Sequence, residues 1–261
     1  MSYYPILSAP HCNGKTTLYN FSPNNWERAV RCRKIINLTY VDGDKWHSKV
    51  LGDLDYGGFK EFSYEDVAKF IPDGALPLLS LTIEELPISS KSLPVLKPNH
   101  TVTPMERATL SLESIGMSTS YQGEINPFPP QASLLTFAPF LQFGEKVENY
   151  ALLMNLEQKP KYRRADVEIF DARTKELRKV QSVCCNQINV ISLNDLGFEE
   201  SSLPVITCKD MAFIPLYFSS SEDAKFLSLE HTHPPSSFVV HGNRFSAQKL
   251  LKKYWFTRLA K

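Results

Sequence analysis

Three histidines near the end of the chain are the residues best suited to chemistry. His231 and His233 flank Thr232, Glu230 precedes them, and His241 follows a little later. On a β-strand, residues two apart point to the same side about 7 Å from each other, so two imidazoles can converge on one ion. His241 would complete a three-nitrogen site with an open coordination position, as metal-dependent hydrolysis or oxidation requires. The spacing is therefore compatible with a site for one divalent transition metal.

A structural interpretation of the same residues is simpler. His231 and His233 come just before Pro234 and Pro235, where a strand would end, and imidazoles at a sheet edge commonly bond to backbone or water. The chain contains no Cys-x-x-Cys cluster to strengthen a metal assignment. We therefore expect a protein without a cofactor, and keep a metal-dependent enzyme using His231, His233 and His241 as the alternative.

Residues 9–16, Ala-Pro-His-Cys-Asn-Gly-Lys-Thr, loosely match a phosphate-binding loop. Such a loop must lead into a long helix whose first amides meet the phosphates. Here Pro23 follows closely, and Leu18 to Phe21 has the composition of a strand. The context argues against nucleotide binding.

Two aromatic residues in proline-rich surroundings are candidates for ligand contact. Trp26 follows Pro23-Asn24-Asn25, and Phe128 lies within Asn126-Pro-Phe-Pro-Pro-Gln. Exposed aromatic rings with amides beside them suit a sugar ring or a partner protein. Glu230, just before the two histidines, is a third candidate for ligand contact. The alternative is that each ring covers its own module.

Composition limits the possible partners and compartment. The chain has 261 residues and a formal net charge of +1, which gives no overall electrostatic footprint for nucleic acid or an anionic membrane, although a local basic patch remains possible. We expect reduced thiols and a cytoplasmic protein, since the five cysteines are scattered and the N-terminus does not resemble a signal peptide. Exposed β-sheet edges invite self-association, which favours a homo-oligomer.

Short apolar runs separated by turn residues predict an all-β fold with an internal repeat. Leu18-Tyr19-Asn20-Phe21 resembles 153–156, the strand and turn at 36–51 resemble 167–180, residues 75–81 resemble 212–218, and Leu-Ser-Leu-Glu occurs at 110–113 and 227–230. Six or seven strands in each half suggest two tandem immunoglobulin-like β-sandwich modules, although the Cys-Trp-Cys spacing of true immunoglobulin domains is absent. We predict modules at 1–125 and 133–261, joined by a proline-rich linker at 126–132.

From Phe245 to Leu259, apolar residues recur at helical spacing with lysines and arginines between them. This pattern predicts a C-terminal amphipathic helix, capped by Asn243 or Ser246 and docked on the second module. The function that follows is a non-catalytic binding or scaffold protein for a protein or carbohydrate ligand. We expect the contact surface at the groove between the modules or around His231 to His241.

Overall fold

The computed structural model describes residues 2–21, 31–96, 107–129, 132–138, 141–143, 146–221, 223, 226–231 and 244–260. For residues 107, 231 and 244–248 it describes the backbone alone. The chain is mostly β-strand, in four antiparallel sheets with a short C-terminal helix, so the predicted all-β class is confirmed. In the part of the chain that the structure describes, no helix is long and apolar enough to cross a membrane.

The chain divides into two compact units. The first contains Met1–Pro127 together with Leu156–Tyr162 and Cys185–Ile188, and the second contains the remaining residues from Phe128 to Lys261. Two segments from the second half of the chain therefore belong to the first unit. The module boundaries expected from the sequence stay a prediction.

The strands of the first unit form a five-stranded and a four-stranded sheet. In chain order they are β1 (Tyr4–Pro5), β2 (Asn13–Tyr19), β3 (Lys34–Asp42), β4 (Lys45–Leu54), β5 (Phe59–Ser63), β6 (Leu78–Thr82), β7 (Ser89–Ser90), β8 (Arg107–Ser114) and β9 (Met117–Gln122), with helix α1 (Tyr64–Ala68) after β5. The sheet orders are β1-β6-β3-β4-β7 and β5-β2-β8-β9.

The sheets of the second unit each have four strands. These are β10 (Leu134–Phe137), β11 (Val147–Met154), β12 (Arg164–Asp171), β13 (Glu176–Cys184), β14 (Ile188–Ser192), β15 (Pro204–Cys208), β16 (Ile214–Ser221) and β17 (Leu227–His231), followed by helix α2 (Arg244–Leu259). Their orders are β10-β15-β12-β13 and β14-β11-β16-β17.

Alternation of apolar and polar residues packs the two sheets of the first unit against each other. Leu18 on β2 and Ala108 on β8 share one buried cluster with Ile36 and Leu38 on β3 and Leu79 on β6. Because successive side chains on a strand point to opposite faces, the residues between these positions point away from the core. This geometry fixes which side chains of β2, β5, β8 and β9 face outward.

Both units have the same strand order. The series β1, β6, β3, β4 corresponds to β10, β15, β12, β13, and β5, β2, β8, β9 corresponds to β14, β11, β16, β17. Among the described strands of the second unit, none corresponds to β7. The order differs from that of constant-type immunoglobulin domains, in which the first two strands lie in one sheet, because β1 and β2 lie in different sheets.

The shared strand order supports some of the sequence matches and corrects others. Residues 18–21 and 153–156 end the corresponding strands β2 and β11, and the 36–51 and 167–180 segments form the corresponding hairpins. The Leu-Ser-Leu-Glu match is wrong as a structural equivalence, because its copies lie in β8 and β17. The match of 75–81 with 212–218 is wrong for the same reason, since it pairs β6 with β16.

Helix α2 occurs where the periodicity predicts it, with a different start. It begins at Arg244, so Ser246 lies within the helix and is not its N-cap, and Asn243 lies outside the described residues. Leu259 and Trp255 pack in a cluster with Phe137, Phe170 and Val205. The predicted docking of the helix on the second unit is therefore seen.

Candidate binding surface

The predicted metal site lies mostly outside the described residues. His231 is the last residue of β17, where its backbone is paired with Leu216 of β16. His233 and His241 both lie outside the description. Among the described residues, no three metal-ligating side chains come together. The three-histidine site therefore stays a prediction.

The three predicted ligand contacts are not brought into one site by the described structure. Glu230 is exposed on β17, opposite Tyr217 of β16. Phe128 is half-buried outside the regular strands, and Trp26 lies outside the described residues. Their common role in binding stays a prediction.

The segment that resembles a phosphate-binding loop leads into a strand. Residues from Asn13 onward form β2, and the preceding turn is closed by a bond from the Cys12 amide to the Ala9 carbonyl of 3.3 Å. Gly14 is needed for packing, because a Cβ at this position would lie 1.8 Å from the carbonyl oxygen of Leu7. Here the glycine permits close backbone approach, and the helix that a phosphate site requires is replaced by β2.

The outward face of β5-β2-β8-β9 is the candidate site, and we call it the polar sheet face. It carries mainly hydroxyl, amide and charged side chains, with two aromatic rings at one end. Its members with described side chains are Asn13, Lys15, Thr17, Tyr19, Phe59, Glu61, Ser63, Thr109, Ser111, Glu113, Ser118, Ser120 and Gln122. All of these side chains are half-buried or exposed.

The strand register arranges these side chains in rows across the sheet. One row runs from Ser63 through Lys15 and Ser111 to Ser120. The next row runs from Glu61 through Thr17 and Thr109 to Gln122. Neighbouring strands lie about 4.8 Å apart, so each row presents regularly spaced polar groups across a nearly flat surface.

Lys15 is held by two carboxylates within this face. Its Nζ lies 2.7 Å from Glu113 Oε2 and 3.1 Å from Glu61 Oε1, and Thr17 donates to Glu61 Oε2 at 3.4 Å. The hydrogen bonds that Lys15 donates to Glu113 and then to Glu61 raise its pKa. The cation and its two carboxylates therefore form one bonded group, and the face has no strong field of a single sign.

An aromatic pair forms the end of the face. Tyr19 on β2 is opposite Phe59 on β5, with ring centroids 6.3 Å apart and planes inclined by 36°. Phe59 is 71% exposed, and Phe21, two residues beyond Tyr19, is 53% exposed. Neighbouring aromatic rings that reach solvent make this end of the face a candidate contact surface, because single apolar side chains on a surface are usually dispersed.

A capping box fixes the end of β5 that adjoins Lys15. The Ser63 hydroxyl accepts from the Asp66 amide at 3.1 Å, and Asp66 Oδ2 accepts from the Ser63 amide at 2.8 Å. The bond from the Ser63 backbone lowers the pKa of Asp66. Since α1 begins at this cap, the strand ends at a defined residue and the rows keep their register.

The corresponding face in the second unit has a different character. Tyr217 on β16 donates to Thr136 on β10 at 3.1 Å, so it faces the opposite sheet of its own unit. Its neighbours Leu216 and Phe218 therefore point the other way, as do Tyr150 and Leu152 of β11 in register with them. All four of these side chains are buried. Of the two corresponding faces, the one in the first unit is polar and open.

Sequence reasoning missed the polar sheet face, although part of its signal was available. Alternation of Gly14, Thr16 and Leu18 with Lys15, Thr17 and Tyr19 would have separated the two faces of β2. Which strands lie beside β2 could not be read from alternation, because Glu61 and Glu113 are distant from Lys15 in the chain.

Comparison of the chain with protein-family models, with characterised proteins and with solved structures found no match.

Proposed function

We propose that the protein is a non-catalytic binding protein of two duplicated β-sandwich modules, with the polar sheet face of the first unit as its contact surface. The observation that carries this proposal is the Tyr19–Phe59 ring pair, with Phe59 71% exposed, beside ordered rows of hydroxyl and amide side chains. The shared strand order of the two units supports duplication. The buried equivalent face in the second unit supports a division of roles between the copies.

A carbohydrate is the ligand class that this surface fits best. The apolar C–H face of a sugar ring packs on an aromatic side chain, and its hydroxyls need donors and acceptors nearby. The rows of Thr17, Thr109 and Gln122 supply such groups, and Lys15 is already bonded to Glu61 and Glu113. A nearly neutral surface of this kind suits an uncharged ligand better than an anionic one.

Phe59→Ala tests the surface. Screening of the intact chain against neutral oligosaccharides, followed by calorimetry on the best binder, should give saturable binding. Removal of the exposed ring should weaken that binding about 5- to 30-fold, the range expected for an aromatic contact of about 1–2 kcal/mol. Phe143→Ala is the matched control, since Phe143 is an exposed phenylalanine of the second unit.

Equal affinity of Phe59→Ala and the wild type would exclude the polar sheet face as the binding site. Absence of binding to any neutral oligosaccharide would exclude the ligand class. A protein partner whose binding is lost in Phe59→Ala and kept in Phe143→Ala would confirm the polar sheet face as the binding site. It would also show that the ligand is a protein and not a carbohydrate.

A further inference from the structure

Helix α2 attaches to the second unit through one side. Trp255 meets Phe137 edge-on, with ring centroids 5.1 Å apart, and Leu259 is buried beside Phe170 and Val205. Lys252 on this side donates to the Ser133 carbonyl, and burial lowers its pKa. The docked side accounts for the apolar residues at positions 255 and 259.

A second group of apolar residues on α2, next to the docked side, is exposed. Leu250, Leu251 and Tyr254 are 68%, 53% and 54% exposed. At 100° per residue, Leu250 and Tyr254 lie 180° and 140° from Leu259, and Leu251 lies between them and the docked Trp255. A surface helix normally exposes a polar side, so this arrangement leaves an apolar side for another surface to cover.

The charge of α2 is of one sign. It contains Arg244, Lys249, Lys252, Lys253 and Arg258 and neither aspartate nor glutamate. Since the whole chain carries only +1, the rest of the protein is net negative. Lys249, Lys253 and Arg258 are exposed beside the apolar residues, and Arg258 Nη1 also donates to the Tyr254 hydroxyl at 2.9 Å. The complementary surface is therefore anionic.

We propose that the outward side of α2, Leu250, Leu251 and Tyr254 with Lys249, Lys253 and Arg258, binds an anionic lipid surface. A stable protein interface needs about 800 Å² from each partner, more than these six side chains on one helix supply. A lipid surface imposes no matching shape, and a few inserted apolar side chains with adjacent cations give reversible binding. Tyrosine is also favoured at the boundary between headgroups and acyl chains. The proposal does not depend on the polar sheet face.

Vesicle flotation of the intact chain tests the proposal. The protein should float with vesicles of phosphatidylcholine and phosphatidylserine at low salt, and should remain unbound with phosphatidylcholine alone or at high salt. Lys249→Gln with Lys253→Gln should reduce partitioning roughly 25-fold, since each cation near an anionic membrane contributes about a factor of five. Leu250→Ser, Leu251→Ser and Tyr254→Ser together should abolish it, with an unchanged melting temperature.

Lys45→Gln with Lys209→Gln is the matched charge control, because both lysines are exposed and lie outside α2. This variant should float as the wild type does. Failure of the wild type to float with the anionic vesicles overturns the proposal, as does equal flotation of the triple serine variant. Equal binding of the wild type to neutral vesicles would contradict the electrostatic part of the proposal. Equal flotation of the Lys249→Gln/Lys253→Gln variant and the Lys45→Gln/Lys209→Gln control would contradict it too. Capture by a polyglutamate resin without vesicle binding would instead identify an acidic protein as the partner.

Discussion

Asn186 bonds to backbone groups from another stretch of chain within the first unit. Its Oδ1 accepts from the Glu157 amide at 2.9 Å, and its Nδ2 donates to the carbonyls of Lys159 and Lys161 at 3.1 and 3.2 Å. Its own carbonyl accepts from the Leu76 amide at 3.1 Å. The side chain is buried and φ is 57°, a left-handed conformation that asparagine adopts more readily than most residues. One amide therefore positions the segment Leu156–Tyr162.

Asn186→Ala should lower the free energy of unfolding by about 2–4 kcal/mol, because backbone groups lose their partners in a buried site and alanine is strained at this φ. Asn186→Gly loses the same side-chain bonds without the backbone strain. Its free energy of unfolding should therefore be about 1 kcal/mol higher than that of the alanine variant. Urea denaturation of both variants measures the difference. Wild-type stability in either would show that the bonds contribute nothing.

The role of Asn186 could not be predicted from its neighbours. Cys184-Cys185-Asn186-Gln187 carries no local signal for a residue that holds a segment almost thirty positions earlier. Cys184 ends β13, whereas Cys185 lies beyond the strand and its Sγ donates to the Lys161 carbonyl at 2.9 Å. Distant pairing of this kind is decided by the fold as a whole.

At the scale of elements, Asp171 secures the end of β12 against the loop before β15. Burial alone would raise its pKa, but bonds from the amides of Arg173 at 3.0 Å and Leu203 at 3.2 Å outweigh it and lower the pKa. The Lys175 amide also bonds to the Asp171 carbonyl at 2.7 Å. The charged carboxylate therefore joins the β12–β13 turn to the loop leading into β15.

Asp171→Asn should lower the free energy of unfolding by about 1–3 kcal/mol at neutral pH, since charge-assisted hydrogen bonds become neutral ones. A lowered pKa in the folded state means that this stability is present above about pH 4, the pKa of an unfolded aspartate, and is lost as the pH falls through the folded pKa. Melting temperatures from pH 7 to pH 2 should therefore fall less steeply for Asp171→Asn.

Asp166→Asn, an exposed change on the same strand, is the control and should follow the wild-type profile. A profile for Asp171→Asn that parallels the wild type throughout would show that this carboxylate does not carry the acid sensitivity.

Strands with clear apolar alternation were predictable, and strands without it were not. β3, β8 and β12 are predictable from the sequence, because alternate positions of each supply buried apolar residues. β9 was missed because Met117–Gln122 alternates mostly among polar residues. β15 was missed because Pro204–Cys208 is a short, fully buried run without alternation. The polar sheet face depends on β9, so its full extent was also hidden.

At the scale of the whole molecule, the first unit needs residues from beyond its own half of the chain. The Trp46 indole donates to the Gln158 carbonyl at 3.0 Å, and Tyr162 donates to the Val41 carbonyl at 3.1 Å. Gln158 and Leu93 exchange two further bonds of 2.7 Å. A cut near residue 127 would therefore leave buried groups of the first unit without partners.

A fragment of residues 1–127 should be at least 2–3 kcal/mol less stable than the first unit in the intact chain, because several bonds and the cover over Trp46 are lost. With Trp26→Phe in the fragment, red-shifted tryptophan emission would report exposure of Trp46. A synthetic peptide of residues 155–163 should restore blue-shifted emission and raise the melting temperature. The expectation would be contradicted by a fragment that unfolds cooperatively, has blue-shifted Trp46 emission without the peptide, and shows no change in melting temperature when the peptide is added.

The interleaving of the two units also constrains synthesis of the chain on the ribosome. Residue 127 leaves the exit tunnel well before Leu156–Tyr162 and Cys185–Ile188, which complete the same unit. At about 5–20 residues per second, the last of these segments emerges roughly 3–12 s later. During that interval the first unit is incomplete while about half of the remaining chain is synthesised. It is therefore exposed to chaperones and proteases for longer than a module whose sequence is continuous.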